Sequence, residues 1–457
     1  MSEQNTFTHG PLGQIFLKTA LPIILVMSMN GLLTVVDAMF LGRYVGADAL
    51  GAVTLIFPLF MLIIALATLV ANGMSSILAR NLGAGDMAAA HGTFAGAHGL
   101  ALAVSALLIV AYLLVGAPLV AALASGDAVL AEMARTYLVI MVFMSPLAFL
   151  LGVHSDALRN EGRIGFMAAM SLLVSLSNIG FNYVLIALAG MGVAGSALGT
   201  AAAQLLALLI ILGYRLQGRA VLHPRALLET GWLQRWGRIL ALGAPQSLNF
   251  IGIALGATSV IIALQMISAP DYDAKVSAYG IVTRVMTFMF LPLLGLTHAL
   301  QSIVGNNYGA QLWARSDTTL RMGLVVALIY CTGMQALFWL FPAPIAGVFV
   351  TEPDVVASFV PIMQISVAML WLAGPLIVIA SYFQAIGKAT QAAVLGLAKP
   401  YAFGIPLTFV LALSIGENGI WLAGPVAEVL MGLVTLIVLR LSARGLQLRH
   451  GLFAAPA

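Results

Sequence analysis

Apolar residues fill long blocks between Ile15 and Leu441, separated by short polar joints. About 20 predominantly apolar residues cross a bilayer as a helix. The blocks predict twelve spans, at about 15–41, 49–76, 91–117, 129–152, 164–188, 192–215, 238–266, 276–300, 319–344, 356–382, 389–415 and 418–442. Strands have no place in this pattern, because lipid leaves an open sheet edge unsatisfied. The expected fold class is therefore all-α, a polytopic membrane protein.

Composition agrees with the pattern. The 457 residues are 61% hydrophobic and 8% charged, against about 25% charged in soluble domains. The longest polar interval, Arg215 to Arg238, has no room for a second folded module. A phosphate-cradling Gly-rich loop, a Gly-x-Ser-x-Gly elbow and a His-Glu-x-x-His pair are all missing from the sequence, so no motif supports an enzyme or a bound cofactor. Cys331 lies in an apolar run and reads as packing. The stretch before Gln14 lacks the basic region of a signal peptide, so the first span reads as retained.

Charge sets an expected orientation, since short loops rich in Lys and Arg stay in the cytoplasm. With the N-terminus inside, fifteen of the 20 basic residues fall on the cytoplasmic side and only Arg43, Arg135 and Lys275 outside. Both termini are then cytoplasmic. The formal net charge of +4 reads as inner-leaflet anchoring, with no basic soluble patch for nucleic acid.

The chain also repeats itself. Met74 to Ala84 aligns with Leu300 to Ala310, Ala20-Leu21-Pro22 with Gly243-Ala244-Pro245, and Gly192-Val193 with Gly419-Ile420. Six spans in each half make the halves parallel repeats, an arrangement that sets a substrate site between two lobes. The expected division is an N-lobe at 1–216, a cytoplasmic linker at 217–237 and a C-lobe at 238–457.

Polar residues inside spans carry the functional reading. A charge there costs roughly 2.5 to 3.5 kcal/mol on insertion scales and marks a functional candidate. Asp37 in span 1 has only Val260 near its repeat position. Asn178 and Asn182 lie four residues apart on one face of span 5, at about the depth of Asp37. Thr200 and Tyr137 supply hydroxyls at comparable depth; the plainer reading of these four is helix-to-helix hydrogen bonding. In the second half, Lys399 and Glu428 are placed to pair across the hairpin of spans 11 and 12, and Arg284 stands in span 8. His91, His98, His154 and His298 lie towards span ends and read as solvated or satisfied. Pro22 is a candidate bending point of span 1.

Val36 to Gly46, with Gly280 to Val285, Gly305 to Ala310 and Arg159-Asn160-Glu161-Gly162, resembles the multidrug and toxic compound extrusion (MATE) family over nearly the whole chain. The resemblance implies a V-shaped pair of six-helix lobes in the bacterial inner membrane. It further implies a monomer that exports amphipathic, often cationic compounds in exchange for protons or sodium ions. It assigns cation coupling to Asp37, places Asn178 and Thr200 in the same site, and matches Pro22 to the bending proline of helix 1. Two departures stand out: Asn182 replaces the Asp that many relatives carry, and no acid occurs near Ile253 or Gly374. A sodium site wants several oxygens including carboxylate, so one carboxylate favours the proton. The alternatives are a lipid-linked carrier flippase of related fold and a channel or receptor without an active cycle.

Overall fold

The computed structural model describes residues 5–445 and 448–453. Among these, regular structure is helical apart from one isolated bridge, Arg449 with Phe453. In chain order the helices are α1 (Leu12–Tyr44), α2 (Ala47–Leu55), α3 (Phe57–Gly83), α4 (Met87–Leu123), α5 (Ala128–Phe143), α6 (Ser145–Asn160), α7 (Ile164–Asn182) and α8 (Gly192–Leu216). They continue as α9 (Ala226–Glu229), α10 (Trp236–Met266), α11 (Tyr272–Gly309), α12 (Trp313–Leu340), α13 (Pro342–Gly347), α14 (Pro353–Ser366), α15 (Leu370–Ala385), α16 (Ala389–Leu397), α17 (Ile405–Ile415) and α18 (Glu417–Gly445). Two π-helical segments, Tyr183–Leu188 after α7 and Ala398–Gly404 between α16 and α17, leave their helices continuous.

Among the described residues, with each π segment taken together with its flanking helices, ten helices are long and apolar enough to cross a membrane. Two further spans are bent pairs, α5 with α6 at 48° and α14 with α15 at 52°. The fourth and tenth expected spans are therefore broken ones. Expected span 2 is also divided, at Ile56; Pro58, in the first turn of α3, has no backbone N–H to continue the ladder from α2.

Helix starts repeat with near-constant spacing. Ala47 and Tyr272, Ala128 and Pro353, Ile164 and Ala389, and Gly192 and Glu417 are each 225 residues apart. Even the bends recur in register, which places two copies of one six-span plan in the chain.

By internal contact the chain divides into units of residues 1–247 and 248–457. The first turns of α10 thus go with the first unit, where glycines let backbones meet. A Cβ on Gly73 would lie 2.0 Å from the Ile239 carbonyl oxygen, and one on Gly243 would lie 1.9 Å from that of Leu69. Asn72 Nδ2 donates to Gln246 Oε1 beside this crossing. Close approach at small residues is how membrane helices gain packing without a hydrophobic drive.

Candidate functional site

The first unit brings Asp37 of α1, Asn178 and Asn182 of α7 and Thr200 of α8 into one hydrogen-bonded group. Asn182 Nδ2 donates to Asp37 Oδ1 at 2.7 Å and to Asn178 Oδ1 at 3.2 Å. Asn178 Nδ2 donates to Thr200 Oγ1 at 2.9 Å, and that hydroxyl donates to the Ser196 carbonyl at 3.2 Å. Both asparagines are buried, while Asp37 keeps partial access. A side-chain methyl on Gly199 would lie 2.3 Å from Asn182 Oδ1, so the glycine makes room for that amide. Asn182 Oδ1 itself is buried without a partner.

Asn178 has a second consistent orientation. Its amide atom facing Asp37 Oδ1 stands 2.8 Å away. With oxygen there, the contact is a hydrogen bond only when Asp37 carries a proton and donates it. With the amide turned over, Nδ2 donates to an ionised Asp37 Oδ1, and Oδ1 accepts from Thr200 Oγ1 at 2.9 Å. The turned amide then stands 3.2 Å from Asn182 Nδ2 while both donate to the one oxygen. Amide orientation is set by the network around it, and an ionised Asp37 suits the turned amide, which donates to it.

Tyr137 stands one layer back. It packs with Leu41, Ile186 and Val193, and its hydroxyl bonds Ser196. Pro22 lies fifteen residues before Asp37 in α1, which runs unbroken through it. Asn182 ends the regular part of α7, directly before the π-helical Tyr183–Leu188; such turns occur often at functional positions.

A polar stripe extends the group. Ser171, Ser175, Asn178 and Asn182 recur at spacings of four, three and four, which keeps them on one face of α7. Across from them α1 presents Asn30, seven residues before Asp37, and Ser175 Oγ donates to Asn30 Oδ1 at 3.5 Å. The stripe opens into a cavity of about 230 Å³ lined by Asn30, Ser155, Ser171, Met167, Met170 and Ile211, among others. The 4-3-4 spacing was present in the sequence, but serine alone is a weak signal inside a membrane helix.

In the second unit Lys399 Nζ donates to Glu428 Oε1, the pairing expected across the hairpin. Arg284 is exposed on α11. A further pair, Lys275 with Glu417 at 2.5 Å, joins α11 to the start of α18.

Two buried features of the first unit were not marked by the sequence. Arg215 belongs to the buried core: it bonds Glu161 Oε1 at 2.7 Å, with both side chains at 0% exposure. Glu161 Oε2 accepts from the Val221 and Leu222 amides at 2.8 and 3.4 Å, which fastens the segment after α8 to the bundle. His98 and His154 are buried as well, their Nε2 atoms 3.1 Å apart. His98 Nδ1 lies 2.8 Å from the Phe94 carbonyl, which can only accept. His98 Nε2 is then bare in the neutral ring and accepts from His154 Nε2, leaving His154 Nδ1 as a buried acceptor without a partner.

The MatE family model matches residues 22–184 and again 248–410, one copy in each half. The chain belongs to the MatE family. It is a multi-pass membrane transporter of that family and not an enzyme. The "FAD transporter" of Shewanella oneidensis is 25% identical over 446 residues, with 95% of both chains covered. "Multidrug export protein MepA" of Staphylococcus aureus is 23% identical over 441 residues, again with 95% of both covered. Among solved structures, the MATE multidrug transporter DinF-BH is 27% identical, with a TM-score of 0.86 and 98% of this chain and 100% of that one covered. A MATE in its straight conformation, 20% identical with a TM-score of 0.86 and the same coverage, shares the fold. Asp37, Asn178 and Asn182 lie in the first matched MatE copy and Lys399 in the second.

Proposed function

We propose that this MatE protein is a secondary antiporter of the bacterial inner membrane, a monomer with both termini cytoplasmic. It exports amphipathic, often cationic compounds in exchange for protons taken up at Asp37. The observation that carries this reading is a single carboxylate, Asp37, inside a helix long enough to cross the membrane, with Asn182 Nδ2 donating to it at 2.7 Å. The multidrug activity named for MepA and DinF-BH supports the substrate class.

The cycle follows from what each state offers a ligand. When Asp37 is ionised, the partly accessible carboxylate attracts a cation along the polar stripe that runs from the cavity at Asn30 and Ser171. When a proton arrives, the charge is cancelled, Asp37 donates to Asn178, and Asn178 donates on to Thr200. Proton and cationic substrate therefore compete for one site and bias a two-state equilibrium in opposite directions. Pro22 gives α1 a point at which to bend between the states. Sodium is the poorer counter-ion, because Asn182 aims an N–H at the only carboxylate of the group. A cation site needs converging oxygens instead.

The test is uptake of a cationic dye into proteoliposomes with proton and sodium gradients imposed one at a time. Transport driven by the proton gradient alone is expected. Transport driven only by sodium would overturn the coupling assignment, and dye movement indifferent to both gradients would overturn antiport.

A further inference from the structure

The second unit contains an ionisable centre that the proton cycle does not use. Lys399 sits in the π-helical Ala398–Gly404, near the middle of the span from Ala389 to Ile415. Its side chain is 38% exposed, while that of its partner Glu428 is 9% exposed. No residue of the π segment is fully buried. An ammonium has three donors, and among the described residues Lys399 Nζ is engaged by Glu428 Oε1 alone. Two charged N–H groups therefore remain for another acceptor, on a side chain that is 38% exposed at mid-span. Cationic side chains at that depth face water-filled cavities or the bundle interior, because lipid would leave them unsolvated.

The neighbours of this centre place it within the repeat. The carbonyl of Leu248 in α10 accepts from the Tyr401 hydroxyl at 2.7 Å. A Cβ on Gly252 would lie 2.7 Å from Pro400. The centre is thus framed by α10, the π segment and α18. By the 225-residue repeat these correspond to α1, α7 and α8, the three helices that hold Asp37, Asn182 and Thr200. One plan houses both centres, and their signs are opposite. The accessible group is a carboxylate in the first unit and an ammonium in the second.

We propose that Lys399, held in place by Glu428, is a second ligand site that takes the oxyanion of a transported molecule. The oxyanion is a carboxylate or a phosphate. The inference rests on the reading of the chain as a small-molecule exporter. Glu428 need not leave, since the two remaining N–H groups of Lys399 donate to the ligand oxyanion beside it.

The test uses two matched dye pairs that differ only in the anion: rhodamine B with its ethyl ester, and flavin mononucleotide with riboflavin. Equilibrium binding is read by fluorescence polarisation on the full chain in lipid nanodiscs. The Lys399→Gln/Glu428→Gln variant keeps a hydrogen-bonding pair without charge, and Lys399→Arg keeps the charge. The double variant is expected to bind the acid of at least one pair about 10- to 100-fold more weakly, as loss of a charge-assisted hydrogen bond implies. Its binding of the ester or riboflavin should be unchanged, and Lys399→Arg should retain most of the affinity. A selective loss in the rhodamine pair identifies carboxylate, and one in the flavin pair identifies phosphate. Equal losses for both members of each pair, no loss at all, or wild-type protein that binds neither acid would each overturn the proposal. Asp37→Asn, measured in parallel on the cationic ester, tests the first-unit reading separately, because Lys399 does not enter that measurement.

Discussion

Asn182→Asp would place a second carboxylate at the one position where the first has its closest donor. Asn182 Nδ2 stands 2.7 Å from Asp37 Oδ1, and Gly199 already leaves room for the other side-chain oxygen, so the change is isosteric. Two ionised carboxylates at that separation repel by about 6 kcal/mol at an effective dielectric constant of about 20. At about 1.4 kcal/mol per pH unit, this is a ceiling of roughly 4 pH units over which the pair holds a shared proton that wild type would release. Carboxylates that turn apart relieve part of the repulsion, so the expected displacement is about 1 to 4 units. The assay is equilibrium binding of a cationic rhodamine ester to purified protein as a function of pH. In wild type the affinity falls as pH falls, because protons displace the cation from Asp37. In the variant the proton is retained to higher pH, so the fall sets in at more alkaline pH. A midpoint that stays in place, or moves towards acid, would refute the single-carboxylate account of the site.

Asp37→Asn should fold and insert but lose proton-driven transport, and its dye binding should be flat across the pH range in which wild type changes; full transport by this variant would move the coupling role elsewhere. Gly199→Ala should reduce drug resistance at normal folded yield, since the new methyl would meet Asn182 Oδ1 at 2.3 Å; unchanged resistance would show that the amide position is not critical. Glu161→Gln or Arg215→Met should each destabilise the purified protein by about 3 to 5 kcal/mol, because either leaves the other charge buried and unpaired, and the double substitution should recover much of the loss; thermal unfolding reads both. Ala189→Cys and Gln311→Cys, in a Cys331→Ala background, should label from outside and inside the cell respectively, and labelling of Gln311→Cys by an impermeant reagent in intact cells would invert the topology.

The parts legible in the sequence are those that lipid or local spacing dictates. Span positions followed from the need to satisfy every backbone group within the membrane, and the Asp37, Asn178 and Asn182 group from a four-residue spacing at shared depth. The Lys399 and Glu428 pair followed from a short hairpin. The burial of Arg215 was not legible, because it depends on Glu161 and Leu222, contributed by the joint after α6 and the segment after α8. A basic residue at a span end looks the same whether it faces solvent or a carboxylate 54 positions away. The histidine contact is hidden in the same way: His98 is satisfied, as read, but by His154, which it meets only because α4 and α6 pack together. The π-helical segments have no composition that separates them from the α-helix around them.

Those π segments bear on how far the repeat can be trusted for function. By the 225-residue spacing, Tyr183–Leu188 corresponds to residues 408–413, yet the π turn of the second unit lies at Ala398–Gly404. Each unit has widened the same repeat helix, but at a different height. A π turn shifts the face that the following residues present, so moving it changes which side chain meets the neighbouring helices. In the first unit the turn follows Asn182, which leaves that amide on the regular face with Asn178 and Ser175. In the second unit the turn contains Lys399 itself and sets it against Glu428. Two halves with one helix plan can therefore expose a carboxylate in one and an ammonium in the other without any change in span order. The ligand chemistry of one half is not transferable to the other by alignment, and each must be tested with a probe of its own charge.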